Sequence, residues 1–337
     1  MKSRSMGIDQ ETTTGIVVIG RNEGQRLVSC FESIPEVLRK RTIYVDSGSS
    51  DNSIHEASCR GISTCLLDMS QPFTAGRARD TGFRQIVKAF PELNFIHFID
   101  GDCTFADNWL PHAIRFLLDH PQTGVICGRL KERYPDRSVY NRACDIEWTM
   151  LSKNQAYCGG TFLIRVDAYL NSGGFNTTMI AGEEPELCRR IRSMGFGVAT
   201  QDTIMGFHDA NILTFRQWWL RNTRTGFAYA ESQNISGRFS SSSRSNRVIR
   251  TLFWSSFLPF AIVTLSLQHP AFLTMLVVYP IQMMRIAINL PIPQTRHKLI
   301  YGGFVLLAKF PETMGIIKFM FSRLLRVQHS IIEYKQP

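Results

Sequence analysis

The stretch FIHFIDGD, residues 95–102, is the most informative part of the chain. Its first five residues form an apolar run typical of a buried β-strand, and two carboxylates follow where the strand ends. Side chains two residues apart on extended backbone point to the same side, so Asp100 and Asp102 can face one cation, while Gly101 lets a ligand approach closely. Mg²⁺ and Mn²⁺ bind one or two carboxylates together with water and substrate phosphates. The stretch therefore predicts a metal–diphosphate site at the carboxyl end of a strand, with an ordinary Asp-Gly-Asp turn as the alternative.

Short apolar runs alternate with helical patterns through the first half of the chain. Such alternation is typical of an α/β fold in which helices flank a mostly parallel sheet. Ligands bind these sheets at the carboxyl ends of the strands, so the polar groups that follow each strand are the candidate site residues. Besides residues 95–99, the predicted strands are Gly15–Ile19, Thr42–Val45, Ser63–Leu67 and Gly124–Cys127, and the clearest helical patterns are Ala75–Phe90 and Asp107–His120.

Charge is distributed unevenly along the 337 residues, whose formal net charge is +10. The part from Phe215 onward contains fifteen Lys and Arg residues and three Asp and Glu residues. The part before it contains twenty-three Lys and Arg residues and twenty-five Asp and Glu residues. Basic residues beside apolar stretches favour contact with anionic lipid. The sequence contains no zinc-finger or RNA-binding signature, so nucleic acid is not an expected partner.

Eight cysteines lie between Cys30 and Cys188, and none forms a Cys-x-x-Cys motif. Residues 1–14 are polar and mixed in charge, without the apolar core of a secretory signal peptide. These features predict reduced thiols in the cytosol.

The last third of the chain begins with a change of composition. Residues 236–250 are rich in serine and arginine and lack periodicity, which predicts a linker or a membrane-facing loop. Two apolar runs follow, Leu252–Leu267 and Ala271–Leu290, and basic residues flank the pair on both sides. This pattern predicts a helical hairpin with both ends in the cytoplasm; a shallow re-entrant hairpin and two buried helices of a soluble domain are the alternatives. Leu299–Val327 has the mixed pattern of amphipathic helices at a membrane interface.

Polar loops follow the predicted strands in a characteristic order. RNE at 21–23 follows the first strand, DSGSSDNS at 46–53 follows the second, and TAGRARD at 74–80 opens a helix before the acidic triplet. With this spacing, residues 14–235 resemble the nucleotide-sugar half of a bacterial, membrane-associated family 2 glycosyltransferase with the GT-A fold. The loop at 46–53 and the acidic triplet together carry the resemblance.

The resemblance and the chemistry of these side chains imply a donor site. A carboxylate at a strand end can accept hydrogen bonds from ribose hydroxyls or a base N–H, and the planar guanidinium of an arginine can pair with a diphosphate. A surface salt bridge is the alternative for Arg79. CGGT at 158–161 matches the turn that lines the donor sugar in the family, and a plain tight turn is its alternative. The implied donor-binding residues are Arg21, Glu23, Asp46, Arg79, Asp100, Gly159 and Gly160.

The resemblance also implies a metal site and a general base. Asp102 would be the principal ligand of Mn²⁺ or Mg²⁺, and Asp100 would touch the ribose or a metal-bound water. His208 would complete the metal site, with a buried, hydrogen-bonded histidine as the alternative. The family's acidic motif at a helix start corresponds to GEEPEL at 182–187, which makes Glu184 the general base and Glu183 its competitor. Glu184 stands where the family usually has Asp, and the helix dipole gives acidic side chains a structural reason to be there.

RQWWLR at 216–221 lies where processive polysaccharide synthases carry a cluster of Gln, Arg and Trp. The match is partial, because the Arg-Trp order of those enzymes is absent. With only two candidate membrane segments, we expect addition of a single sugar rather than extrusion of a chain. The residues expected on the acceptor side, or at the membrane interface, are Gln217, Trp218, Trp219 and Arg221.

These observations predict a metal-dependent, inverting glycosyltransferase at the cytoplasmic face of the inner membrane. The expected donor is a nucleotide sugar, with UDP-sugars favoured, and the expected acceptor is a polyprenyl-linked saccharide of cell-envelope or exopolysaccharide synthesis. A nucleotidyltransferase with the same metal–diphosphate chemistry and a non-catalytic nucleotide-sugar-binding scaffold are the alternatives. The predicted divisions are a tail at 1–13, a catalytic domain at 14–235, a linker at 236–250 and membrane-associated helices at 251–337.

Overall fold

The computed structural model of the protein describes residues 13–151, 158–236 and 243–325. Its contacts divide the chain into two compact units. The first comprises Met1–Tyr134 and Glu147–Ala210, and the second comprises Pro135–Ile146 and Asn211–Pro337. Most of the predicted tail and residues 237–242 of the predicted linker lie outside the described residues.

An eight-stranded sheet forms the centre of the first unit. Its strands are β1 (Thr14–Gly20), β2 (Thr42–Asp46), β3 (Ser63–Leu66), β4 (Phe95–Asp100), β5 (Cys103–Phe105), β6 (Thr123–Glu132), β7 (Phe162–Arg165) and β8 (Gly197–His208). Their order across the sheet is β3-β2-β1-β4-β7-β6-β8-β5. Strands β3, β2, β1 and β4 run parallel, as do β6 and β8, whereas β7 is antiparallel to both neighbours and β5 is antiparallel to β8. The predicted α/β class with a mostly parallel sheet is confirmed.

Helices connect and flank the strands. They are α1 (Gln25–Ser33), α2 (Glu36–Arg39), α3 (Ser53–Cys59), α4 (Ala75–Ala89), α5 (Trp109–Asp119), α6 (Val139–Leu151), α7 (Val166–Asn171) and α8 (Glu183–Ser193). Helix α4 approaches the sheet closely because it presents Gly82, where a Cβ atom would overlap Val17 and lie 2.8 Å from Val45. Residues 16–18 of β1 are fully buried, as expected for a strand covered on both faces.

His97 is a polar residue in the middle of the buried strand β4. The indole Nε1 of Trp109 donates a hydrogen bond to His97 Nε2 over 2.9 Å. Complete burial lowers the pKa of His97 to about 3, so the imidazole is neutral and acts as an acceptor. This ring therefore belongs to the core and carries no charge near neutral pH.

The second unit is helical. Its remaining helices are α9 (Phe215–Ser236), α10 (Ser243–Leu252), α11 (Leu258–Gln268), α12 (Val278–Ile288), α13 (Thr295–Leu307) and α14 (Lys309–Leu325). A π-helical segment, Phe253–Phe257, joins α10 to α11, and a 3₁₀ segment, Pro270–Val277, precedes α12. The structure differs from the predicted linker at residues 243–250, which are helical. Serine and arginine content lowers apolar periodicity but does not prevent a helix.

Two apolar helical stretches of this unit match the predicted hairpin. Arg247–Gln268 and Pro270–Ile288 have hydropathy of 1.6 and 1.7 and are long and apolar enough to cross a membrane. The Tyr279 hydroxyl donates a hydrogen bond to the Trp254 carbonyl oxygen over 2.7 Å, so the two stretches contact each other. Large apolar side chains along both stretches are exposed, among them Phe260 and Ile288. Exposed apolar helices of this length are consistent with association with a membrane.

Helices α9 and α14 cross at two glycines. A Cβ atom on Gly226 would overlap the backbone carbonyl of Glu312, and one on Gly315 would overlap the backbone carbonyl of Thr223. Backbone cannot move aside as a flexible side chain can. The crossing therefore requires a residue without a side chain at both positions.

We expect Gly226→Ala to destabilise the second unit by roughly 2 kcal/mol, because the added methyl group forces the two backbones apart. Gly303→Ala on α13 is the matched control, since its Cβ would meet only the Met283 sulfur, at 3.7 Å. There the better helix propensity of alanine should stabilise the protein by up to about 1 kcal/mol. Thermal unfolding of both variants in detergent measures the difference. Equal shifts of the two melting temperatures would contradict the close contact of α9 and α14 at Gly226.

Candidate active site

The first strands bring their carboxyl ends to one edge of the sheet. In the parallel register Gly20 lies beside Asp46, and Ile19 lies beside Asp100. The loops that follow β1, β2 and β4 are therefore neighbours. This is the edge at which the sequence predicts the donor site.

Asp46 is buried at the end of β2 and organises its own loop. The hydroxyl of Tyr44 donates to Asp46 Oδ1 over 2.8 Å, and the amides of Gly48 and Ser49 donate to Oδ2 over 3.0 and 2.9 Å. Three donors engage this carboxylate, so it stabilises the turn that starts the loop. Its predicted contact with a ribose or a base stays a prediction.

The loop after β1 packs against this turn. The guanidinium carbon of Arg21 lies 4.5 Å from the centroid of the Phe73 ring, and Arg21 Nε donates to the Gly48 carbonyl over 3.4 Å. Glu23 forms an ion pair with Arg26, with Oε2 and Nη2 2.9 Å apart. Arg21 and Glu23 therefore lie at the predicted edge, with partners inside the protein.

Arg79 is the charge at the centre of the site. Its side chain is buried, Nη2 lies 2.6 Å from Asp100 Oδ1, and Nη1 lies 2.7 Å from Glu183 Oε1. The first turn of α4, which carries Arg79, is capped by the Thr74 hydroxyl, which accepts a hydrogen bond from the Arg77 amide over 3.1 Å. One guanidinium thus joins the end of β4 to the start of α8. These ion pairs are buried, so the alternative interpretation of Arg79 as part of a surface salt bridge is wrong.

The CGGT turn closes over this pair. A Cβ atom on Gly160 would lie 2.5 Å from Arg79 Nη2 and 2.7 Å from Asp100 Oδ2, so only glycine leaves the ion pair its space. Gly159 has a φ of 78°, a backbone conformation that favours glycine. Both predicted glycines therefore lie against the charged centre of the site.

Asp102 and His208 face each other across the β5–β8 pair. The antiparallel register sets Cys103 opposite His208, and His208 Nε2 lies 3.3 Å from Asp102 Oδ2. The other ring nitrogen, Nδ1, lies 3.4 Å from Glu132 Oε2. Asp100 and Asp102 therefore have different partners, with Asp100 on Arg79 and Asp102 on His208.

The donor set of this pair fits a divalent cation such as Mn²⁺. A carboxylate oxygen, an imidazole nitrogen and the sulfur of Cys103 all lie within 4.8 Å of one another. Burial raises the pKa of the Cys103 thiol well above its usual value. The thiol donates to Asp102 Oδ1 over 3.5 Å, and because Mn²⁺ prefers oxygen and nitrogen donors to sulfur, Asp102 and His208 are its candidate ligands.

Glu132 is a site residue that the sequence analysis missed. Its carboxylate is fully buried at the end of β6, beside the His208 ring and the amide of Ala210, which lies 3.1 Å from Oε2. A carboxylate on the second nitrogen of a metal-binding histidine fixes the tautomer and orientation of the ring. The signal for Glu132 was weak, because Gly128, Arg129 and Lys131 separate it from the apolar run at 124–127 that predicted the strand.

The acidic motif starts α8, whose first residue is Glu183. Glu184 is buried, and its carboxylate accepts hydrogen bonds from the amides of Cys158 and Gly159. Burial, and secondly the nearby Cys188, raise the pKa of Glu184 well above its usual value, against those two hydrogen bonds. Glu184 therefore has a high proton affinity.

The predicted acceptor-side residues pack within the second unit. Gln217 Oε1 accepts hydrogen bonds from the amides of Leu213 and Thr214 over 2.8 and 3.0 Å, which caps the start of α9. The Trp218 ring is buried and stacks on Phe215, with centroids 5.5 Å apart. The side chains of this segment that the sequence singled out, all on α9, are Gln217, Trp218, Trp219 and Arg221.

The chain is similar to several solved structures, to different degrees. Mannosyltransferase PcManGT from Pyrobaculum calidifontis, in complex with GDP-Man and Mn²⁺, is similar with a TM-score of 0.59 and 15% identity, over 92% of this chain and 88% of that chain. S. aureus TarS has a TM-score of 0.47 and 11% identity, over 89% of this chain and 92% of that chain. Glucosyl-3-phosphoglycerate synthase from Mycobacterium tuberculosis has a TM-score of 0.46 and 17% identity, over 62% of this chain and 77% of that chain. The first likeness supports the GT-A class of fold.

The sequence gives the narrower assignment. Residues 15–173 match the family described as Glycosyl transferase family 2. The resemblance to family 2 glycosyltransferases that the motifs indicate is confirmed over these residues. No curated protein is significantly similar to the chain.

Glu183 and Glu184 should respond in opposite directions to amide substitution. The pKa of Glu184 is raised in the folded state, so its ionisation opposes folding: stability is full below the unfolded pKa of about 4.3 and falls as pH rises through the folded pKa. Glu184→Gln should therefore stabilise the protein, by an amount that grows from pH 4 to pH 8. Glu183→Gln leaves buried Arg79 with one carboxylate partner. We expect this loss to lower the free energy of unfolding of the protein by about 3 kcal/mol.

Melting temperatures of both variants across this pH range measure the two effects. A Glu184→Gln protein that is less stable than the parent at pH 8 would contradict the burial of an ionisable carboxyl at this position.

Proposed function

We propose that the protein is a metal-dependent, inverting glycosyltransferase that moves one sugar from a nucleotide sugar to a lipid-linked or growing saccharide. The observation that carries this proposal is the buried Arg79, paired with Asp100 and Glu183 at the edge where the strand-end loops meet. The GDP-Man and Mn²⁺ of the similar mannosyltransferase support a nucleotide-sugar donor and a divalent cation. UDP-sugars remain the first donors to test, and GDP-mannose is the second.

The cation would be held by Asp102 and His208. When bound, Mn²⁺ or Mg²⁺ would offset the negative charge that develops on the leaving diphosphate. Glu132 Oε2 lies 3.4 Å from Nδ1 of His208, and by accepting a hydrogen bond from Nδ1–H it would keep Nε2 available to the metal. Asp100, held by Arg79, would contact the donor ribose or a water of the metal.

Glu184 is our choice for the general base. An inverting transfer needs one group that takes the proton of the acceptor hydroxyl as its oxygen attacks the anomeric carbon, and no covalent enzyme intermediate. Burial raises the pKa of Glu184, which makes its ionised carboxylate a stronger proton acceptor than an exposed one. Glu183 is engaged by Arg79 over 2.7 Å, so we assign it the task of positioning that guanidinium.

The second unit would bring the enzyme to its acceptor. Its two exposed apolar stretches and its excess of basic residues support attachment to an anionic membrane, where polyprenyl-linked saccharides are found. We propose the cytoplasmic face of the inner membrane as the location and cell-envelope or exopolysaccharide synthesis as the process. Gln217, Trp219 and Arg221 would serve the acceptor side, and buried Trp218 would support them.

Product analysis with the detergent-purified full chain tests this function. With nucleotide sugar and Mn²⁺, we expect a free nucleoside diphosphate; pyrophosphate would instead indicate a nucleotidyltransferase. Glu184→Gln should lower kcat by about 10²–10⁴-fold with little change in the KM for donor, because a base acts in the transition state. Glu186→Gln in the same helical turn is the matched control, since Glu186 pairs with Arg190 instead. Absence of turnover in the parent with every donor would leave the scaffold as the function.

Glu132→Gln tests the arrangement around His208. An amide cannot hold the imidazole as a carboxylate does, so we expect the affinity for Mn²⁺ to fall by roughly 10–100-fold. Electron paramagnetic resonance of free Mn²⁺ in a titration measures this affinity without any turnover. Unchanged affinity for Mn²⁺ would show that metal binding by His208 does not depend on Glu132. Asp102→Ala serves as the reference, because it removes a proposed ligand of the metal.

A further inference from the structure

A second cluster of ligating side chains lies in the first unit and includes two thiols that the proposed reaction does not use. Cys158, Glu184 and Cys188 are all buried. The two sulfur atoms are 3.8 Å apart, and Cys188 Sγ lies 3.6 Å from Glu184 Oε1. The three donor atoms all lie within 4.8 Å of one another.

These separations match one face of a tetrahedral metal site. With Zn–S bonds of about 2.3 Å and a Zn–O bond of about 2.0–2.2 Å, tetrahedral angles place two sulfurs about 3.8 Å apart and a sulfur and an oxygen about 3.5 Å apart. The observed distances of 3.8 and 3.6 Å agree with both values. Little rearrangement of the three side chains would therefore be needed to bind a cation.

We propose that Cys158, Cys188 and Glu184 form a binding site for a soft divalent cation of the Zn²⁺ type. Two thiolates and one carboxylate would bind the ion, and the two thiol protons would leave to solvent. Thiolate ligands select soft ions, whereas the oxygen and nitrogen donors of Asp102 and His208 also suit Mn²⁺. The two sites therefore differ in the class of metal that they prefer.

The position of the cluster gives this site a consequence for activity. Cys158 starts the turn that carries Gly159 and Gly160, and Cys188 lies one helical turn after Glu184 on α8. A bound cation would tie the turn to the helix and occupy a lone pair of Glu184. Inhibition by Zn²⁺ follows, and this consequence, unlike the binding itself, rests on the proposed role of Glu184 as the base.

Binding is tested with Co²⁺, which reports thiolate ligation by charge-transfer absorbance in the near ultraviolet. We use the reduced full chain in detergent with Cys59→Ser as the background, because Cys59 is exposed and lies 3.4 Å from His55. We expect the band to appear on addition of Co²⁺ and to disappear with Zn²⁺. Cys188→Ser should abolish the band.

Two further variants serve as controls. Cys103→Ser should retain the band, since Cys103 belongs to the other candidate metal site. Glu184→Gln keeps both thiols and should weaken Co²⁺ binding at least roughly tenfold, the loss expected for a metal-site residue. The proposal is overturned if the parent shows no band, if Cys188→Ser retains it, or, should Cys188→Ser fail to fold, if Glu184→Gln binds as tightly as the parent.

Turnover measurements separate this site from the proposed function. In Mg²⁺-supported turnover, Zn²⁺ should inhibit the parent at concentrations at least roughly tenfold lower than those that inhibit Cys188→Ser. Equal sensitivity of the two proteins would refute the inhibitory consequence. Turnover without the charge-transfer band overturns the soft-metal site alone, and the band without turnover overturns the proposed function alone.

Discussion

The site depends on one buried cation, the guanidinium of Arg79. Burying an arginine is costly unless carboxylates surround it, and here Asp100 and Glu183 lie 2.6 and 2.7 Å from its terminal nitrogens. Its partners come from the end of β4 and the start of α8, which are far apart in sequence. The cation therefore fixes the distance between the strand that carries the acidic triplet and the helix that carries the acidic motif. The absence of a side chain at Gly160 preserves the space for this contact.

Around this centre, each acidic residue has a distinct partner and hence a distinct chemistry. Asp46 is held by donors of its own loop, Asp102 by an imidazole, and Glu184 by two backbone amides. As isolated side chains, these three residues carry the same functional group, a carboxylate. Their surroundings separate a loop organiser, a candidate metal ligand and a group with high proton affinity, because proton affinity follows burial and partners.

The two units serve different requirements. In the first, a sheet with covered faces holds charged groups at its edge with little freedom to move. In the second, long apolar helices keep their side chains exposed, and α9 and α14 cross at Gly226 and Gly315. Close packing at glycines does not rely on the hydrophobic effect, so it suits helices that meet in or beside a lipid phase. The proposed transfer from a nucleotide sugar to a membrane-attached acceptor would need this combination.

The sequence by itself determined the class of fold, the positions of five of the eight described strands, the identity of the strand-end loops and the apolar hairpin, because these follow from local periodicity and turn chemistry. It also singled out Arg79, Asp100, Asp102 and His208 as candidates. Only the tertiary structure decided their partners: which carboxylate meets Arg79, that Glu132 lies behind His208, and that two cysteines thirty residues apart in sequence meet Glu184. Pairing across strands and helices depends on register and packing between distant segments, and no local pattern encodes that. The helix at residues 243–250 was missed because its serine-rich composition indicated a loop, although Val248, Ile249 and Leu252 stand at helical spacing.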